Sequence, residues 1–349
     1  MHLSRRNHQH AFCASFASLA AVFLAAGPEP PAPQAPLPAT MKAIRYHAFG
    51  GPDVLVFEDA PVPRPGPGEM LVRVHAAGVN PVDWKIRSGR IGSRKPDPPQ
   101  ILGHDVSGVV AAAGEGVTRF KAGDAVFAYL SLRRGGAYAE YALVREDEAA
   151  VKPARLDHVQ AAAVPLAALT AWQALYETAD LKAGQTVLIH AAAGGVGHFA
   201  VQLARARGAK VIGTASAANH DFLRGLGAEI VIDYRTERFE EIARDVDVVL
   251  DSVGGDTLER SFKAVKAGGA VVSIVGDPSS RAPAGKAVRA AGILVRPDAA
   301  QLAGIAALVD EGKLRPEVSL VLPLAEARRA HEASQGGHTR GKIVLKVAD

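Results

Sequence analysis

Cysteine is almost missing: Cys13 is the one thiol in 349 residues, and it lies within the first forty. The rest of the chain is therefore without disulfides, thiolate zinc sites, iron–sulfur clusters or a cysteine nucleophile. The twelve histidines form no HExxH or other clustered histidine–carboxylate pattern. His104-Asp105 in ILGHDVSG is the one pair that suggests a metal ligand. It has no convincing companions, so His104 reads as a buried residue supporting a site. Charge of one sign is lacking as well. The 40 Lys plus Arg against 36 Asp plus Glu leave a formal +4, with no run of five or six basic residues. That spread speaks against nucleic acid as a partner. The apolar stretch from Ala11 to Ala26 is too short for a comfortable membrane span. With 48% hydrophobic and 22% charged residues, the chain has a folding composition and length enough for two domains.

Residues 1–40 read as a leader. Arg5 and Arg6 precede the alanine-rich stretch, and a proline-rich GPEPPAPQAPLP follows, which is the order of an export signal. SRRN at Ser4 to Asn7 partly matches a twin-arginine signal. The alternative is translation from Met41, because MKAIRYHAFG reads as a complete domain start. A start at Met41 implies the cytoplasm, and a working signal implies the periplasm or export.

From Met41 to about residue 150, short apolar runs alternate with glycine and proline turns, which predicts a mainly β domain. From about Leu166 the order becomes strand, helix, strand. TVLIH, KVIGTA, EIVID, VDVVLDSVG and GGAVVSIVG are nearly continuous apolar runs, as parallel strands buried on both faces require. Asp298 predicts the N-cap of a helix starting near Ala299. The terminal GKIVLKV has no place in a buried parallel sheet and is expected to return to the first domain.

TVLIH runs directly into Ala192-Ala193-Gly194-Gly195-Val196-Gly197 and an apolar helix, a GxGxxG dinucleotide fingerprint with alanine at the first glycine. Glycines there let the backbone approach a pyrophosphate, and the helix N-terminus stabilises its charge. Ala193, Gly194, Gly195, Val196 and Gly197 are thus cofactor candidates. The second strand, which often ends in an acid that binds the ribose diol of NAD, here reads VIGTASAANHDF. It offers Thr214, Ser216, Asn219 and His220 instead, and an acid at that tip would repel a 2′-phosphate. NADPH is the expected cofactor, with Ser216 as a donor and Tyr234 at the next strand end facing the same pocket. Asp221 is close by but reads as the start of a helix. Val253, in DSVGG, and Gly276, closing GGAVVSIVG, complete the strand-end candidates.

GVNPVDWKIRSG is the densest polar constellation. Pro81 restricts Asn80 and holds its amide in a defined turn. Lys85 is a candidate for contact with the nicotinamide ribose or with substrate oxygen, where positive charge stabilises a developing enolate or hydroquinone anion. Asp83 is a third catalytic candidate, orienting Lys85 or Arg87. The plainer reading is a surface turn closed by an Asp83–Arg87 pair at i,i+4.

Together these pieces resemble the zinc-independent quinone oxidoreductase, zeta-crystallin-like branch of the medium-chain dehydrogenase/reductase superfamily. The match runs in order from MKAIRYHAFGGPDVL through AAGVNPVDWKIRSG, ILGHDVSGVV, AGDAVFAY, GGAYAEYALV, AAAVPLAALTAWQAL, the glycine loop and DSVGG to RGKIVLKV. The resemblance implies an α/β protein: a GroES-like mainly β catalytic domain at 41–160, a Rossmann doubly wound NADP-binding domain at 161–305, and a C-terminal return, 306–349. It also implies a cleft between the domains, a homodimer, and no zinc, since Asn80 stands where zinc-dependent relatives have cysteine. The segment ILVRPDAAQL is similar to the family's loop at the nicotinamide end, making Val295, Arg296 and Asp298 candidates. Family placement makes Lys342 a cleft or cofactor-side candidate, although the residues around it read most simply as an exposed turn. The implied reaction is hydride transfer from NADPH to a quinone or, alternatively, to an alkenal or enone. An NADPH-binding redox sensor with little turnover is the reading from another class. Solvent is the expected proton source. Tyr46 and Tyr129 are donors only if the fold brings them to the cleft.

Overall fold

The computed structural model describes residues 37–91 and 99–348, so the expectations for the leader fall almost wholly outside the described residues. Glycine and proline turns break the first third of the chain into strands too short for parallel crossovers, and these pair antiparallel. Glu69–Val79 is the spine of a seven-stranded sheet, flanked by Asp105–Ala113, Tyr141–Arg145 and Lys342–Lys346. Val318–Pro323 extends this sheet on one side, and Ala125–Tyr129 and Ala149–Val151 on the other. A separate three-stranded sheet joins Val56–Pro61, Thr40–Tyr46 and Gln100–Ile101. The C-terminal strand, with Val318–Pro323 beside it, thus completes a GroES-like β domain whose remaining strands all come from the first part of the chain. Its register sets Ile343 opposite Val79 and so carries Lys342 to the level of Asn80.

The middle of the chain forms a six-stranded parallel sheet. Its spatial order is Ile230–Asp233, Lys210–Ala215, Thr186–Ile189, Val246–Asp251, Val265–Ser273 and Arg289–Gly292. The order reverses between Thr186–Ile189 and Val246–Asp251, which opens a crevice at their carboxyl ends, the usual ligand position in a doubly wound sheet. Helix Gly197–Ala206 buries Phe199, Ala200, Val201, Leu203 and Ala204, because it packs on the sheet and on Pro165–Trp172 at once. The sixth strand, Arg289–Gly292, is not predictable from pattern. Its RAAG carries small residues and sits half-exposed at a sheet edge.

Asp298 caps helix Ala299–Asp310 by accepting from Gln301 N at 3.0 Å. That helix packs against both Ala149–Val151 and Pro165–Trp172. It therefore straddles the boundary expected at 305/306 and belongs to the seam between the domains. Among the described residues no helix is long and apolar enough to cross a membrane.

Candidate active site

The loop after Thr186–Ile189 departs from the fingerprint at its first position, and the fold accommodates the change. Ala191 takes a left-handed φ of 47°, Ala192 N donates to Thr214 O at 2.9 Å, and Gly194 N donates to Ala191 O at 2.9 Å. The Ala192 methyl occupies space left by Gly213 on the next strand, where an added Cβ would lie 2.9 Å from it. Gly197 is the tightest position. A Cβ there would meet Ala191 O at 2.4 Å and Ala192 Cα at 2.7 Å, both backbone atoms that have no rotamer to escape through. Gly197→Ala is expected to displace the loop and weaken dinucleotide binding about tenfold or more, since a misplaced helix N-terminus loses its hold on a pyrophosphate. Calorimetric titration with NADPH checks this, and an unchanged Kd would remove the loop from the site.

Gly194, Gly195, Val196 and Gly197 form one wall of a cleft of about 420 Å³. Asn80, Trp84, Lys85, Tyr129 and Lys342 face them from the β domain. The described lining contains two lysines and no carboxylate or imidazole. Among the described residues the Lys85 ammonium has no hydrogen-bond or ion-pair partner, and its Nζ lies 5.7 Å from the Trp84 ring centroid.

Lys342 corrects the expectation of an exposed turn: it is 3% exposed. Its Nζ donates to Asn80 Oδ1 and lies 3.2 Å from Asp105 Oδ2. Asn80 Nδ2 donates to the same Asp105 oxygen at 2.9 Å, and Leu166 N donates to Asp105 Oδ1 at 2.7 Å. Burial pushes the Asp105 carboxyl up, while Lys342 and Asn80 pull it back. Lys342 also packs beside the dinucleotide loop, its Cδ 3.4 Å from the position of a Cβ on Gly195. Gly341 N donates to Ala193 O at 2.8 Å, so the C-terminal strand is stitched to that loop.

Asp83 lies below the cleft and is absent from its lining. Fully buried, it accepts from Asn80 N at 2.7 Å, His104 Nδ1 at 2.7 Å and Tyr138 OH at 2.8 Å. Burial raises its pKa, but the His104 hydrogen bond and charge outweigh that, leaving it below the usual carboxylate range. It therefore fixes Asn80 and His104. The expected Asp83–Arg87 pair does not form: Arg87 is buried against another helix, donating to Gln335 Oε1 at 3.1 Å and Gly50 O at 3.3 Å. His104, 1% exposed, is committed to Asp83. Among the described residues no group of three or more His, Cys, Asp or Glu is arranged to hold a metal.

At the far end, the pairing of Ala215 with Asp233 sets Ser216 beside Tyr234. Ser216 Oγ accepts from Asn219 Nδ2 at 3.1 Å, and Tyr234 is half-exposed with Arg235 over its ring. Asp221 is engaged by Arg224 at 3.0 Å. Val253 and Gly276 are exposed, and their neighbours Ser252 and Val275 line the cleft in their place. Val295 lines it too. Arg296 does not: Gln173 holds its backbone N and O, and its side chain turns to Glu177 at 3.2 Å. Tyr129 reaches the cleft, whereas Tyr46 lies outside it and donates to Gln100 at 2.7 Å. Trp84, Thr170 and Ser252 line the cleft as well; each lies inside a stretch that the sequence marks, but nothing in those stretches singles the residue itself out.

Residues 66–154 match the alcohol dehydrogenase GroES-like domain, and residues 226–345 match the zinc-binding dehydrogenase family. Quinone oxidoreductase of Sus scrofa is 38% identical over 87% of this chain and 97% of its own length. The chloroplastic NADPH-dependent alkenal/one oxidoreductase of Arabidopsis thaliana is 36% identical over 89% of this chain and 81% of its own. The solved quinone oxidoreductase of Coxiella burnetii shares 42% identity with a TM-score of 0.83, covering 88% of this chain and 99% of that one. With two domains of matching fold and a dinucleotide loop lining the cleft, this chain belongs to the zinc-independent, zeta-crystallin-like quinone oxidoreductases of the medium-chain dehydrogenase/reductase superfamily.

Proposed function

We propose that this protein is an NADPH-dependent reductase of quinones. The observation that carries the reading is the cleft itself, with a dinucleotide loop on one wall and two lysines on the other, Lys342 paired with the buried Asp105 behind it and Lys85 facing no lining carboxylate. Such a cleft favours an anionic cofactor and negative charge arising on an acceptor oxygen. NADPH supplies a hydride when bound. Lys342 and the first-turn amides of Gly197–Ala206 supply positive potential for its phosphates, and Lys85 supplies it for the ribose or the acceptor. Asn80 holds a single orientation, because Asp105 and Lys342 take opposite ends of its amide. Val82, Leu132, Leu166 and Ile293 provide apolar lining that keeps water from the reacting atoms.

Preference for NADPH over NADH rests on Ser216, Asn219 and Tyr234 at the adenosine end, where Asp221 is occupied by Arg224. Reduction of an alkenal or enone is the second reading, favoured by the similarity to the Arabidopsis alkenal/one oxidoreductase. The third is a redox sensor that binds NADPH without turnover. A homodimer accompanies the family reading, with the edge strand Arg289–Gly292 and Leu294, 78% exposed, offering a surface. Cytoplasmic residence follows a start at Met41, and export follows if residues 1–40 act as a signal.

The test follows NADPH and NADH oxidation by residues 41–349 against quinones and enones, with products identified by mass. Quinone turnover without alkene loss supports the main reading, and saturation of the conjugated double bond supports the second. NADPH binding without turnover leaves the sensor. Lys85→Ala is expected to lower kcat/KM about tenfold by removing an unpaired cation from the cleft. Unchanged kinetics across cofactor concentrations would remove Lys85 from the site.

A further inference from the structure

Among the described residues lining the cleft Tyr129 is the one tyrosine, and its hydroxyl is weakly committed. It ends strand Ala125–Tyr129, paired with Asp105, so it rises beside the Asn80–Asp105–Lys342 cluster. Its OH donates to Val295 O at 3.3 Å, well beyond the usual 2.7–2.8 Å of an O–H···O bond. That bond is not what holds the Val295 loop. Gln173 anchors the next residue on both sides, accepting from Arg296 N at 3.1 Å and donating to Arg296 O at 2.9 Å. Other hydroxyls of the lining are taken or wet. Thr170 donates to Leu166 O at 2.7 Å, Ser252 donates to His190 O at 2.8 Å, and Ser334 and Thr339 are half-exposed.

We propose that the Tyr129 hydroxyl is a catalytic hydrogen-bond donor to the carbonyl oxygen of a quinone or enone seated between Val295 and Asn80. This rests on the reading of the cleft as a carbonyl-acceptor site. Burial, then the charges of Asp105, Asp83 and Glu148, raise the phenol's pKa, so it keeps its proton and acts as a donor rather than as a proton source. In an enone, hydride addition to the β-carbon shifts the alkene π pair onto the carbonyl oxygen. The cofactor is oxidised, Tyr129 stabilises the enolate oxygen by a hydrogen bond, and a solvent proton adds at the α-carbon. In a quinone the same bond stabilises the hydroquinone anion before protonation from solvent. A donor aimed at the oxygen where charge develops acts more strongly in the transition state than on the bound acceptor, which lowers kcat in particular when it is lost.

Tyr129→Phe removes only the hydroxyl from a buried ring, and thermal melting verifies that the fold is kept. We expect kcat to fall about 10²-fold with little change in the NADPH Kd. An independent readout is the carbonyl stretch of cinnamaldehyde bound to the NADP⁺-loaded protein, in which hydride transfer is blocked. The wild type is expected to move the band to lower frequency, Tyr129→Phe to return it toward the aqueous-free value, and 3-fluorotyrosine at position 129 to move it further down. Equal kcat and equal band position in wild type and Tyr129→Phe overturn the proposal, as does a variant that loses only NADPH affinity, which marks Tyr129 as a contact between domains. Failure of the carbonyl-site reading looks different: cinnamaldehyde then shows no shifted band in the wild type, and no acceptor is turned over.

Discussion

Lys342→Met is expected to cost about 3–5 kcal/mol of stability, the usual effect of removing one partner from a buried charge pair. The methionine keeps the apolar stem against Gly195 but leaves Asp105 buried with only Asn80 and the Leu166 amide as donors. The same change removes one of two cleft cations, so the NADPH Kd is expected to rise at least about tenfold. The two effects separate in a double variant. Adding Asp105→Asn removes the stranded carboxylate and restores part of the stability, while cofactor affinity stays low because the cation is still missing. Urea unfolding and NADPH titration of the single and double variants check this. A Lys342→Met protein with wild-type stability and wild-type Kd would return Lys342 to the role of a passive strand residue.

Acidification from pH 7 to 5 is expected to weaken the fold steeply. Burial drives His190, His198 and His331 down to about 4. In the unfolded chain these imidazoles protonate near ~6.5, so below that pH the unfolded state binds more protons and stability falls as pH falls, levelling only as the folded groups titrate near 4. Each contributes about 2 kcal/mol of loss by pH 5, and together they approach the marginal stability of a typical domain. The geometry gives the reason. His198 Nδ1 donates to Gly194 O at 2.9 Å, and its Nε2 accepts from Glu317 N at 3.2 Å, so a second proton sets an N–H against an N–H. His331 faces the Arg87 guanidinium at 3.1 Å, where only a neutral ring is an acceptor. Asp105, raised by burial, has the opposite sign. Urea midpoints at pH 7, 6 and 5 measure the slope, and a flat profile would contradict the buried neutral assignments. Because His198 ties the cofactor loop to the β domain and takes up its second proton in the folded protein only near 4, the dinucleotide affinity of the folded protein is expected to hold down to pH 5 and to fall as the pH approaches 4.

Several parts of the molecule are written in short stretches of sequence. The lone Cys13 excludes thiolate chemistry from the fold, the apolar runs from Thr186 onward predict parallel strands, and a glycine loop between strand and helix marks the dinucleotide site. These features are legible because their physical requirements, a positive φ, a missing Cβ or a side-chain period of two, act over fewer than ten residues.

The cleft was settled at longer range. Lys342 looks like a turn residue until an antiparallel pairing sets it at Asn80, 262 residues away in sequence, and buries it. Asp83 and Arg87 have the spacing of a helical ion pair, yet each is drawn to partners on other elements, His104 and Tyr138 for one and Gln335 for the other. Tyr46 and Tyr129 are equally aromatic and equally buried, and only strand pairing decides that Tyr129 meets the cavity. The sequence by itself determined the two domains, the cofactor loop and the absence of a metal-binding pattern, because those depend on local backbone and composition. Which polar side chains face one another across the cleft was decided by the tertiary structure, because strand register and domain docking depend on contacts between distant residues that no local pattern encodes.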